Sequence, residues 1–265
     1  MNKKIIIGTG ASVIVVTAIG LGIFLNQANT PKPLTNELPL TTTAPVIREQ
    51  PKPTPQYTPE PDWAEPETNN EPAIPEIKIV AAPEKLENSD PQFLLAVTDL
   101  APDLGKWLLP NEQIRKWVLV IDQMADGTLP KRYRPVDFPM EKFAVEPMGL
   151  DTVSAPENQE RMDQLVKTFT AIPPEKMAAY YQSWLPLLDK AYAEQGKGNS
   201  FDQRLQQAIS QVLAANPLEQ PAALTRPSVL YKFEDPALEK ASDVEKILWR
   251  MGPENTEIIQ DYLRS

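Results

Sequence analysis

The sequence predicts a mainly α fold: a compact multi-helix domain with one or two short strands, preceded by a transmembrane helix and a disordered Pro-rich linker. Three observations predict it. Between Pro174 and Gln195, apolar Met177, Tyr180, Tyr181, Trp184, Leu187, Leu188, Ala191 and Tyr192 recur at steps of three and four. That is the stripe of a single amphipathic helix. The run from Ile5 to Leu25 carries no charge. From Thr30 to Pro83 proline returns every few residues and glycine is absent. The expected organisation is an anchor over 1–25, a linker over 26–88 and a helical domain over 89–265.

At about 1.5 Å per residue, the Ile5–Leu25 run covers a bilayer core of roughly 30 Å. A cleaved signal peptide is the competing explanation. The apolar run exceeds the usual signal core of about 7–15 residues, and Asn26-Gln27-Ala28-Asn29 lacks a small-x-small cleavage pattern. Lys3 and Lys4 place the N-terminus in the cytoplasm by the positive-inside rule, so the remainder is expected on the far side. The linker has too few apolar groups to build a core. Proline without glycine favours stiff polyproline II, and five basic against eleven acidic residues in Asn26–Asp90 add self-repulsion. Its apolar cluster, Ile74, Ile77, Ile79 and Val80, is available to dock as an edge strand.

Helical patterning starts at Ser89. Asp90-Pro91 fits a cap and first turn, with Phe93, Leu94, Val97 and Leu100 on one face. Leu104–Leu109 is a short apolar piece. Asn111 is placed to cap a helix through Ile114, Trp117, Val118, Ile121 and Met124, which Asp126-Gly127 ends. Phe143 and Val145 suit a short strand. Glu157–Thr170 is helical, with Met162, Leu165, Val166 and Phe169 inward. Pro173-Pro174 opens the central helix, Gly196 stops it, and Pro186 on its polar side bends it. Its aromatic residues require packing partners on both flanks. Asn199 or Ser200 caps the helix of Phe201, Leu205, Ala208, Ile209, Val212 and Leu213. Val229, Tyr231 and Phe233 alternate like a strand. Ser242 and Glu245 form a capping box ahead of Val244, Ile247, Leu248 and Met251. Gly252-Pro253 then starts the last helix, with Ile258, Ile259, Tyr262 and Leu263 inward.

Composition narrows the chemistry. The chain has no cysteine, so disulfides and thiolate metal sites are excluded. It has no histidine, which removes the commonest general base and every His-dependent triad. A net charge of −10 argues against a nucleic-acid binder built on phosphate contacts. No metal site and no cofactor are expected. Asp122–Gly127 echoes the start of a calcium loop, but Met124 stands at its third position and Tyr133 at its twelfth. Two candidate binding regions remain. In the first, Lys131, Arg132, Tyr133 and Arg134 lie between Pro130 and Pro135, a rigid basic loop suited to an anionic partner. Read structurally, the same arginines tie the loop to local carboxylates and helix ends. In the second, Leu224–Asn255, the candidates are Arg226, Arg250 and Asn255. Glu234, Asp235 and Glu239 stand beside them as a carboxylate set capable in principle of acid–base work on a glycan. The alternative for this region is a set of turn, cap and ion-pair residues.

Val120–Pro135, Asn158–Val166, Pro186–Tyr192, Phe201–Leu205, Arg226–Glu239 and Arg250–Asn255 together carry a resemblance. The chain resembles an uncharacterised bacterial family known as domain of unknown function 3014. Where that family looks to carry Arg-Tyr, this chain has Arg161-Met162. The resemblance implies a membrane-tethered envelope protein and supplies no activity. The expected function is a single-pass inner-membrane protein of a Gram-negative type cell, presenting a helical binding or scaffold domain in the periplasm. Its expected partners are the membrane, through one span, and an envelope protein or anionic cell-wall component. The alternative is a periplasmic Asp/Glu-dependent enzyme acting on cell-wall glycan.

Overall fold

The computed structural model describes residues 77–139, 141–198 and 200–265. The expected membrane span and most of the expected linker lie outside the described residues. Among the described residues, no helix is long and apolar enough to cross a membrane. The helices are α1 (Asp90–Leu100), α2 (Pro102–Trp107), α3 (Gln113–Ala125), α4 (Glu157–Thr170), α5 (Pro174–Ala193), α6 (Phe201–Ala214), α7 (Pro236–Lys240), α8 (Asp243–Met251) and α9 (Pro253–Arg264). The described residues also hold two short antiparallel strand pairs. β1 (Val145–Met148) pairs with β2 (Asp151–Ser154), and β3 (Leu224–Thr225) with β4 (Lys232–Phe233).

The α5 stripe is buried at all eight of its apolar positions. Trp184 meets Phe93 of α1 edge-on at 5.9 Å, and Tyr192 meets Phe201 of α6 at 6.4 Å. Helix α3 packs along α6 and touches α5. Its buried Ile114, Trp117, Val118, Ile121 and Met124 face Leu205, Ala208, Ile209 and Val212 in one continuous core. Helix α9 closes that core against α4 and α8, with Tyr262 set edge-on to Phe169 at 4.7 Å. Pro186 lies inside α5 at an exposed position, where the missing N–H costs least packing.

Local signals hold where their partners are local. The Ser242–Glu245 capping box forms in both directions. Ser200 Oγ accepts from Gln203 N–H at 3.2 Å. Gly252, at φ 91, separates α8 from α9. A Cβ there would sit 2.5 Å from Gln159 Oε1, so the position favours glycine twice over.

Several expectations need correction. Asn111 does not cap α3. Asn111 and Glu112 both take left-handed backbone, φ 68 and 57. The helix start is capped from afar: Glu112 N–H and Gln113 N–H donate to the two Asp90 carboxylate oxygens, each at 2.8 Å. Asp90 therefore serves α3 and not its own helix, whose N-cap Ser89 has no side-chain bond. A carboxylate on free helix N–H groups also opposes the positive end of the helix dipole. Leu94 is 45% exposed because α1 presents Phe93, Ala96 and Val97 to its neighbours, which turns Leu94 aside. Ile258 is exposed for the same reason on α9. Phe143, Val229 and Tyr231 lie outside the strands, while the partner of β1 follows directly in a hairpin. The packed domain also starts before Ser89. Ile79, Val80 and Ala82 pack on the core, and Leu86 is 3% exposed. These residues carry enough apolar surface to gain from burial once a groove exists to receive them.

Candidate functional site

The basic loop is fixed at both ends. Leu129, Pro130, Pro135 and Val136 are buried. Leu109 N–H donates to Pro135 C=O at 2.8 Å, and Asp137 N–H to Trp107 C=O at 2.8 Å. The buried Gln113 amide donates to Pro135 C=O at 3.0 Å and also to Leu109 C=O. On the entry side, Gly127 at φ 72 offers its C=O to Asp243 N–H at 2.8 Å. A loop held this way presents its tip with little freedom to lose on binding. Lys131, Arg132 and Tyr133 form the exposed tip. Tyr133 is 70% exposed and holds a left-handed backbone, φ 61, which costs a non-glycine residue about 1–2 kcal/mol. Arg134 turns inward, half-buried, with Nη1 3.6 Å from Asp137 Oδ1. The structure thus splits the cluster into three outward residues and one inward tie.

The second region is built from arginines on aromatic faces. Arg226 lies 5.3 Å from the Tyr231 ring centre, Tyr231 lies 5.8 Å from Phe143, and Arg161 lies 5.7 Å from Phe143. Arg161 also donates to Glu141 C=O at 2.6 Å. Arg250 sits 5.7 Å over Phe233, which meets Trp249 edge-on at 5.7 Å. Burial lowers the pKa of Arg250 from its ordinary value. Arg226 is exposed, whereas Asn255 is buried. The Asn255 amide nitrogen donates to Asp163 Oδ1 at 3.0 Å, and to Gln159 C=O and Met251 C=O at 3.2 Å each. That side chain joins α4 to α9 and has no donor left for a ligand. Two of the three neighbouring carboxylates are also engaged. Asp235 caps Ala237 N–H at 2.7 Å, and Glu239 accepts from Phe233 N–H at 3.0 Å.

Sequence reasoning passed over one cluster. Asp122, rejected as a calcium ligand, is 1% exposed. It accepts from Arg204 Nε at 2.7 Å, from Tyr192 Oη at 3.3 Å and from Lys197 Nζ. Arg204 also reaches Asp126 Oδ1 at 2.7 Å and Gln207 Oε1 at 2.7 Å. Burial opposes the Arg204 charge, but hydrogen bonds to Asp126 and Asp122 outweigh it and raise its pKa. One signal was available: Asp122 shares the α3 stripe with Val118 and Ala125, and Arg204 shares the α6 stripe with Phe201 and Ala208. A lone charge on a buried stripe demands a partner, which makes each of the two a candidate for the other. The cluster's acids are taken up by its own cations. Among the described residues, no three metal-ligating side chains gather as an ion would require.

Four tyrosines carry a measurable consequence, Tyr192 among them, raised by its burial. Burial first, then a carboxylate neighbour, pushes Tyr180 and Tyr262 up to about 12 and Tyr181 upward as well. The neighbours are Asp99, Glu175 and Asp202 respectively. Folding favours the neutral phenol. This stability is whole below the unfolded tyrosine value of 10.0 and is lost as pH rises toward 12. Ultraviolet titration should show part of the seven tyrosines ionising late, together with loss of helical circular dichroism. Ionisation of all seven near pH 10 in a folded protein would contradict the burial described.

The fold and these sites define a class: a helical domain locked by buried polar ties, with a pre-set basic loop on its surface. The family model described as "Protein of unknown function (DUF3014)" matches residues 113–265, and the chain belongs to that family. No curated protein and no solved structure matches the chain. The segments carrying the resemblance meet in space, Val120–Pro135 with Phe201–Leu205 through Asp122 and Arg204, and Asn158–Val166 with Arg250–Asn255 through Asp163 and Asn255.

Proposed function

We propose that this chain is a single-pass inner-membrane protein whose helical domain stands in the periplasm on a Pro-rich tether and binds an anionic envelope component. The observation that carries the reading is the exposed Lys131-Arg132-Tyr133 tip, held on anchored ends in an acidic chain. Arginine and lysine side chains recognise carboxylate or phosphate, and a fixed loop reduces the entropy lost on contact. The uncharged Ile5–Leu25 run supports the anchor, and the proline-rich stretch after it supports the tether.

The test is K131Q/R132Q in the full-length protein, with purified peptidoglycan sacculi as the probe. Arg134 is left in place because it ties the loop inward. Sedimentation with sacculi should fall sharply, and wild-type binding should weaken as salt shortens the screening length to below about 8–10 Å. The melting curve should stay within about 0.5 kcal/mol of wild type. Equal sedimentation of both proteins would overturn the reading.

A further inference from the structure

Among the described residues, the non-glycine positions with left-handed backbone are Asn88, Asn111, Glu112 and Tyr133. Three of them lie at one place in the fold. Leu108 bridges Val136 in antiparallel fashion, and Leu109 N–H donates to Pro135 C=O. Asn111 follows that pin by two residues and Tyr133 precedes it by two, so both leave it on the same side. Asparagine tolerates left-handed backbone, whereas glutamate and tyrosine hold it at a cost that glycine would not carry. Here the surroundings impose it, through Asp90 on the Glu112 and Gln113 N–H groups and through the Gln113 amide on Pro135 C=O. Strained positions of this kind gather at functional sites.

The side chains at this place are set out for contact. Asn111, Lys131, Arg132 and Tyr133 are all exposed. Among the described residues, the Asn111 amide, the Lys131 ammonium and the Tyr133 hydroxyl have no hydrogen bond or ion pair. The turn's own acid does not serve the tip, because the Glu112 carboxylate accepts from Arg115 at 2.6 Å.

These groups narrow the chemistry of what they meet. Lys131 and Arg132 call for an anion. The negative face of the Tyr133 ring attracts the weakly positive C–H groups that line one face of a sugar ring. An amide both donates and accepts, as sugar hydroxyls require. A lipid surface fits less well, since Leu129, Pro130, Pro135 and Val136 are buried and leave Tyr133 without apolar neighbours to insert. Resting on the anion-binding reading above, we propose that Asn111, Lys131, Arg132 and Tyr133 form a site for a carboxylated glycan. Tyr133 stacks on a sugar ring, Asn111 takes its hydroxyls, and the two cations take the carboxylate.

The test uses the full-length protein and three soluble probes. Polygalacturonate is a carboxylated glycan, dextran a neutral one, and polyphosphate an anion without sugar rings. Wild type should bind polygalacturonate more tightly than either of the others. Tyr133→Gly removes the ring at a position where glycine is at ease, so this variant should melt no earlier than wild type. Its affinity for polygalacturonate should fall at least about tenfold, and Tyr133→Phe, which returns the ring, should recover most of that loss. Asn111→Gly also suits its backbone and should weaken the same binding about threefold or more. Unchanged polygalacturonate affinity in Y133G would overturn the glycan site, and loss in K131Q/R132Q alone would leave the anion reading standing. Wild-type affinity in K131Q/R132Q would overturn that reading and the site with it. Polyphosphate bound as tightly as polygalacturonate would reduce the site to bare charge. Tyr133-dependent binding to phosphatidylglycerol vesicles, with none to polygalacturonate, would overturn the glycan in favour of a lipid surface.

Discussion

Asp122→Ala is expected to destabilise the domain by about 3–5 kcal/mol, because it leaves the buried Arg204 guanidinium without its buried counter-charge. Arg204 would keep Asp126, which is largely exposed, while Lys197 and Tyr192 would lose their common acceptor. The loss falls where α3 meets α6, so it should appear as a global shift and not as local fraying. Chemical denaturation of the full-length protein measures it. The pair can be told from its parts by D122A/R204M, which removes both charges. Two buried charges replaced together cost less than one left alone, so the double variant should be more stable than D122A. A D122A midpoint within about 0.5 kcal/mol of wild type, the range of an ordinary surface substitution, would show that the cluster is not closed in solution.

Trp184→Ala is expected to cost about 3–5 kcal/mol, the usual range for truncating a large buried aromatic. Trp184 is 5% exposed and supplies both the edge contact to Phe93 and the donor to Val80. A domain of this kind has about 5–15 kcal/mol of total stability, so the variant should melt far earlier. Trp184→Phe is expected to cost less. It keeps one aromatic ring but loses the Nε1 donor to Val80 C=O together with part of the indole's buried volume. Equal destabilisation by both variants would show that the retained ring contributes nothing to packing at this position.

The candidate site was legible in part. The basic tip stood out because Lys131, Arg132 and Tyr133 lie between prolines in an acidic chain, a pattern complete within the six residues Pro130–Pro135. That Arg134 turns toward Asp137 was not visible, since side-chain direction on a loop depends on where the loop is pinned. Nor was it visible that Asn255 spends its amide inside the fold. Its partners Gln159 and Asp163 lie 96 and 92 residues away.

By itself the sequence determined the helix content, the buried α5 stripe, a cap at Asn199 or Ser200, the Ser242 cap, the Gly252 break and the absence of histidine and cysteine chemistry. Each is written within a turn or two of chain, because helical periodicity and capping geometry are local. Only the tertiary structure decided that Asp90 caps α3 from 22 and 23 residues away, and that Asp122 pairs with Arg204 across 82. It also decided that Val80 serves Tyr180 and Trp184 across 100 and 104 residues. A buried polar group must be satisfied, but the sequence states only the demand. The partner is whichever group the packed helices bring within hydrogen-bond distance.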